Sequence, residues 1–259
     1  MGKPSGVCFY EGPSRLDGSP IIGVATFNTE NEKTGNLVQT WILRADLTPI
    51  QAINMGADYS ICGNCPLKGV VRDTNKDRAC YVAVQNAPTS VSSGYHRHIY
   101  PHVSEVDIAK LIGDAGFRYG SYGDPTAIPL SSWKPLTQEV KEGNARAGYS
   151  HQWHRKKFQF WRTRLMASTH SESENRKAWA MGWRTFRTIM DVSERMPEEI
   201  ICPASAEGDY RRTCETCGAC NGRASMGDLR RNIAIVVHGD KGRRNALTKL
   251  TERIALPVI

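Results

Sequence analysis

Seven of the eight cysteines in this chain fall into two tight groups, and no other feature narrows the fold as much. The first group is Cys62, Cys65 and Cys80; the second is Cys202, Cys214, Cys217 and Cys220; Cys8 stands apart. An even cysteine count in a secreted chain suggests disulfides, whereas clustered thiols in a reducing compartment usually bind metal. The N-terminus, Met1 to Gly6, has no apolar stretch like that of a secretory signal, and no apolar run approaches the roughly 20 residues that span a bilayer. The expectation is a cytoplasmic protein, with no membrane partner, whose cysteines hold metal.

The second group has the stronger signature. Cys214, Cys217 and Cys220 form a C-x2-C-x2-C run, with Cys202-Pro203 upstream. Ferredoxin-type ligation uses the same run, because one loop of that spacing wraps three corners of a cubane. Gly218 and Gly222 would let the backbone turn toward sulfur. Zinc is the alternative, since C-x2-C pairs also build structural zinc sites. The expected cofactor is an iron–sulfur cluster, [4Fe–4S] first.

The first group, C-x2-C-x14-C, lacks a fourth cysteine. Cys202 could complete it, His96 or His98 could supply a ligand, or one iron could remain open to a cofactor such as S-adenosylmethionine. The C-x3-C-x2-C motif of radical S-adenosylmethionine enzymes is not present. The expectation is a complete set of Cys202, Cys214, Cys217 and Cys220, with Cys62, Cys65 and Cys80 as a second, incomplete one. The competing arrangement gives Cys202 to the first set.

Apolar or β-branched runs at 21–27, 38–43, 79–84, 117–120, 145–150, 165–169, 185–190, 199–202 and 233–237 read as strands. Helical spacing lies between many of them. Ile108, Leu111, Ile112 and Ala115 mark one helix, capped near Ser104 and closed by Gly116; Trp133, Leu136 and Val140 mark another from about Ser131; Ala178, Trp179 and Met181 and then Leu247, Leu250 and Ile254 mark two more. This alternation predicts an α/β protein with a mainly parallel sheet, as a TIM-like (β/α) barrel or partial barrel. It is expected to be one domain over 1–259, with cysteine-rich insertions near 61–81 and 202–222. Asp124, His151, His170, Cys202 and His238 follow strand ends, where a barrel gathers its active site. The four that are not cysteines are candidate ligand-binding residues.

The three cysteines ending in Cys80-Tyr81, Gly123-Asp124 after a strand, Tyr149-Ser150 at a strand end and the late Cys202 to Cys220 run together resemble the phage-encoded gene product 88 domain proteins, over roughly Ile61 to Gly222. Most such proteins have no known function. Some similar aquatic-phage proteins look like iron–sulfur proteins with a barrel related to radical S-adenosylmethionine enzymes. The resemblance therefore implies a viral iron–sulfur protein acting in the host cytoplasm, and no particular reaction.

The formal charge of +8 weakly favours acidic partners. The segment from His151 to Arg164 interleaves Arg and Lys with Trp153, Phe158, Phe160 and Trp161, a pattern that can track and stack nucleic acid. It equally suits an amphipathic element with buried rings and solvated charges. Asp240 to Arg244 is a second basic patch, expected to be a solvated loop. No P-loop or G-x-S-x-G elbow is present. Two functions remain: a redox or radical enzyme that meets a small molecule or electron donor, and a nucleic-acid-binding protein with a structural metal.

Overall fold

The computed structural model describes residues 4–27, 31–69, 78–137, 146–223, 225, 227–237 and 244–249. Its strands are β1 (Gly6–Pro13), β2 (Pro20–Thr26), β3 (Val38–Arg44), β4 (Phe117–Tyr122), β5 (Arg146–Ser150), β6 (Met166–Thr169), β7 (Thr185–Ile189), β8 (Glu199–Ile201) and β9 (Asn232–Val236). They form one sheet in the order β1-β2-β3-β4-β5-β6-β7-β9-β8. The first two pairings are antiparallel and all the others parallel. The protein is thus α/β with a mostly parallel sheet, whose outer strands are β1 and β8.

The sheet is accompanied by the α-helices α1 (Pro49–Asn54), α2 (Tyr59–Cys62), α3 (Ala87–His96), α4 (Glu105–Ile112), α5 (Leu130–Thr137), α6 (Glu172–Ala180) and α7 (Cys214–Cys217), with a further helical stretch at 244–249. No helix among the described residues is long and apolar enough to cross a membrane. The helix starts follow local chemistry. The Thr48, Ser104, Ser171 and Thr213 hydroxyls each accept a backbone N–H in the first turn of α1, α4, α6 and α7.

The core on one side is aromatic. Tyr119 packs against Trp133 at 5.0 Å, and Trp161 meets both edge-on. Such tilted contacts align ring edges with ring faces. Phe158, Trp161 and Trp153 are all buried, so the basic segment is an amphipathic element centred on a 3-10 helix, Lys156–Thr163. Phe160 is the exposed ring of that segment.

Several sequence expectations are corrected. Residues 79–84 are irregular and form no strand; they are held by the Leu67 carbonyl instead of by a ladder. β1 escapes notice because Gly6, Gly12 and Pro13 dilute its apolar pattern. The Ser- and Thr-rich α3 is equally hidden. Helix α4 stops at Gly113, whose φ of 54° a side chain would disfavour, and not at Gly116. Helix α5 starts at Leu130, which puts Pro135 inside it and not in its first turn. The last helix is described at 244–249, and Leu250 and Ile254 lie outside the described residues.

On the face that carries α6, a buried ion pair ties β7 to β8. Arg187 contacts Glu199 at 2.7 Å, with both side chains nearly inaccessible. Glu199 also accepts from Asn175 Nδ2 and from the Met196 N–H. Removing one partner leaves a charge buried alone, so Glu199→Ala should lower stability by about 3–5 kcal/mol. Urea unfolding checks this, and a loss under about 1 kcal/mol, the scale of an exposed pair, would contradict it.

Candidate metal centre

The C-x2-C-x14-C spacing becomes a compact site through one buried carboxylate. Asp58, just before α2, contacts Lys68 at 3.2 Å and Arg78 at 3.5 Å. These cations flank the start and end of the long spacer, so Asp58 closes it. The Leu67 carbonyl then accepts from both Ala79 N–H and Cys80 N–H. Cys80 is thereby carried back beside Cys62 and Cys65.

Burial pushes the Cys62 and Cys65 thiols up, and Cys80 raises both further. Groups that favour thiolate oppose this. The backbone N–H groups of Leu67 and Lys68 lower Cys65, and the Arg78 guanidinium lowers Cys62. Hydrogen bonds and cations at sulfur are the usual surroundings of a ligating thiolate.

This set sits at the carboxyl ends of the parallel strands. Cys65 and Cys80 pack with Leu67, Met190 after β7 and Val237 after β9. His151 follows β5, and its Nε2 lies 3.7 Å from Cys65 Sγ. His170 follows β6, with Nε2 3.0 Å from His151 Nε2 and the rings stacked. One Nε2 must donate and the other accept, so at least the accepting imidazole is neutral. Burial holds His170 down to about 4 and His151 well below its ordinary value. His170 Nδ1 is buried with no hydrogen-bond partner among the described residues.

Asp124 orients His151. Its carboxylate accepts the His151 N–H at 2.9 Å, Ser150 Oγ at 3.0 Å and Thr126 Oγ1 at 2.8 Å. Burial raises its pKa, and these donors oppose the rise. With its oxygens so engaged, Asp124 acts as a buckle between β4 and β5. Gly123 allows it: its φ is 87°, and a Cβ there would come within 2.7 Å of Ile42 Cβ.

The other four cysteines gather on one face of the sheet. Ala147, Met166, Ile233, Ile235, Cys202 and Cys220 form one buried cluster, with Tyr149, Phe186, Ile200 and Cys214 packed against it. Cys202 extends the ladder beyond β8, its N–H donating to Ala234 O. Gly218, at φ 60°, ends α7 and turns the chain toward Cys220, whose carbonyl accepts the Gly148 N–H. Arg184 clamps the loop through the carbonyls of Ala219, Asn221 and Arg231.

Burial raises Cys202, Cys214 and Cys220, and the neighbouring thiols add to each rise. Cys202 feels Cys214 and Cys217, while Cys220 feels Cys202, Cys214 and Cys217. Opposing groups surround this set too: Ala204 N–H and Lys33 at Cys202, Arg118 and Lys33 at Cys214, and the Tyr149 hydroxyl at Cys220. No three of these sulfurs lie within 4.8 Å of one another. A tetrahedral zinc ion with its bonds near 2.3 Å would hold them about 3.8 Å apart. A cubane carries its thiolates on separate irons and spreads them further.

The structure therefore brings Cys202 to Cys214, Cys217 and Cys220, and brings His151 to Cys65, with His170 behind His151. His96 and His98 are exposed at the end of α3. His238 lies outside the described residues, as do 240–243 of the second basic patch. Arg118 links the two sets: its Nη2 donates to Tyr81 Oη at 2.8 Å, and its charge acts on Cys214. Sequence reasoning gave no role at the sulfurs to Asp58, Arg78, Arg118 or Tyr149. A signal existed for two of them, since Asp58 and Arg78 are charges within four residues of Cys62 and Cys80. Compared with protein-family models, curated proteins and solved structures, the chain matches none.

The buried histidines set a pH dependence for the metal-free protein. In the unfolded chain an imidazole titrates near 6.5. Between that pH and about 4 the unfolded state binds a proton that folded His170 refuses, so stability falls as pH falls. Going from pH 7 to pH 5 should cost the wild type about 2 kcal/mol more than His170→Gln, from this one shift. Urea unfolding of both proteins at the two pH values checks it; equal losses would contradict it.

Proposed function

We propose that the protein binds an iron–sulfur cluster, a [4Fe–4S] cluster first, through Cys202, Cys214, Cys217 and Cys220, and that it is a redox or radical enzyme. One observation carries the reading: Cys202 and Cys220 are buried in one cluster on a sheet face with Cys214 packed against it, Cys217 is close enough to act on both buried thiols, and the Ala204 N–H, the Tyr149 hydroxyl and the Lys33 and Arg118 cations favour their thiolate forms. The C-x2-C-x2-C run with Cys202 upstream favours a cubane over zinc. When bound, the cluster would supply one-electron transfer. The chain's own residues would tune it, because Arg118, Lys33 and the Tyr149 hydroxyl stabilise the thiolates and the buried apolar face excludes water.

Cys62, Cys65 and Cys80, with His151 and His170, would form a second metal site at the carboxyl ends of the strands, where open α/β sheets bind ligands. A small molecule or electron donor would meet the protein there, and S-adenosylmethionine is the candidate where an iron position stays open. The convergence of Asp124, His151, His170 and Cys65 also supports reading the sheet as a partial (β/α) barrel. The resemblance to phage gene product 88 domain proteins agrees with this picture and is part of the proposal. The nucleic-acid alternative draws less support, since Trp153, Phe158 and Trp161 are buried and cannot stack bases.

Anaerobically purified protein should be brown, contain iron and acid-labile sulfide, and bleach on reduction. Cys217→Ala should lose that iron and much of its stability, because thiolate ligation contributes to folding. A colourless protein with stoichiometric zinc would overturn the reading. The two-site arrangement is tested by iron content in Cys80→Ser and Cys214→Ser. Each should lose only its own site's share; complete loss in both would mean one shared cluster.

A further inference from the structure

Cys8, the cysteine outside both groups, has its own surroundings at the opposite edge of the sheet. In a regular strand, residues three apart point to opposite faces. The pairing of β1 with β2 slips between Cys8 and Tyr10: Cys8 faces Val24 and Tyr10 faces Gly23, so Phe9 is the extra residue of a bulge. The bulge reverses the alternation and puts Glu11 on the same face as Cys8. On its other side β1 meets the segment after α3. Cys8 N–H donates to Pro101 O, and Cys8 and His102 form an isolated bridge.

These two devices bring three ligand atoms together. Cys8 Sγ, a Glu11 carboxylate oxygen and a His102 ring nitrogen all lie within 4.8 Å of one another. His102 Nε2 is 3.2 Å from Glu11 Oε2, close to the roughly 3.3 Å that two N or O donors keep around a tetrahedral zinc ion. Among the described residues it is the one group so tightly gathered. The Tyr95 hydroxyl lies near the Glu11 carboxylate, a position from which a side chain can orient a ligating carboxylate. The sulfur is buried, while Glu11 and His102 are half exposed, so the site opens to solvent on one side.

We infer that Cys8, Glu11 and His102 form a binding site for a divalent cation of the zinc class. One thiolate, one imidazole and one carboxylate suit zinc and its neighbours; magnesium and calcium prefer all-oxygen sets. In this structure the Cys8 thiol donates to the Tyr10 carbonyl; on binding it would give up that proton, and the dication would compensate both the thiolate and the neighbouring carboxylate. Three protein ligands leave a fourth position facing solvent. The site is independent of the proposed cluster and shares none of its cysteines.

The test is an anaerobic titration of the full-length protein, with its own complement of metal, using Co2+ as a coloured substitute for zinc. Wild type should bind about one equivalent with a sulfur-to-cobalt charge-transfer band. His102→Gln and Glu11→Gln alter exposed side chains and should fold normally, which far-ultraviolet circular dichroism verifies; each should weaken the binding about a hundredfold. Cys8→Ser should abolish the band, but Cys8 is buried, so the two exposed variants decide if that protein does not fold. Cobalt binding of equal affinity in wild type, His102→Gln and Glu11→Gln overturns the inference, as does binding without a sulfur band. Iron content should stay unchanged in both exposed variants, so failure here is separable from failure of the cluster reading.

Discussion

A thiol buried among other thiols is difficult to ionise, and the rest of the candidate centre is arranged around that difficulty. Desolvation and mutual repulsion push Cys62, Cys65, Cys202, Cys214 and Cys220 toward the neutral form. Each also has a counterweight at or near sulfur: the backbone N–H groups of Leu67, Lys68 and Ala204, the Tyr149 hydroxyl, or the Lys33, Arg78 and Arg118 cations. A purely apolar cysteine core would need no such donors. Their presence around both sets is the physical basis for reading the cysteines as ligands.

The sheet supplies two different settings for the two sets. The four-cysteine set lies over the side chains of β5, β7, β8 and β9, away from solvent and on the face opposite α6. The three-cysteine set lies at the carboxyl ends of the strands, beside the paired imidazoles of His151 and His170. The interior position suits a group that only stores or passes electrons. The strand-end position suits one that must meet another molecule. Tyr81, next to Cys80, and Arg118, beside Cys214, join the two through a single hydrogen bond.

The alternation of apolar runs and helical spacing was enough to read most of the parallel sheet, because β3, β7 and β9 are rich in β-branched or apolar residues and β4 and β6 also bury side chains. It failed where tertiary contacts replace local pattern. Residues 79–84 look like a strand, yet Leu67 O and the ion pairs of Asp58 hold that stretch of chain in place of a neighbouring strand. Edge strand β1, broken by glycine and proline, carries little period-two signal, and its bulge cannot be seen without β2.

The sequence by itself determined the chemistry available: which residues can ligate metal, that Cys214, Cys217 and Cys220 must stay close together, and that the chain alternates strand and helix. Chain connectivity forces residues three apart to stay close, so that information is local. Only the tertiary structure decided the partnerships. Cys202 meets Cys214 because β8 pairs with β9 and the loop folds back over the sheet. His151 meets His170 because β5 and β6 are parallel neighbours with aligned carboxyl ends. Cys8 meets Glu11 and His102 because one bulge reverses the face of an edge strand. Each pairing depends on strand order and register, which are set by the packing of the whole sheet and by no short stretch of residues.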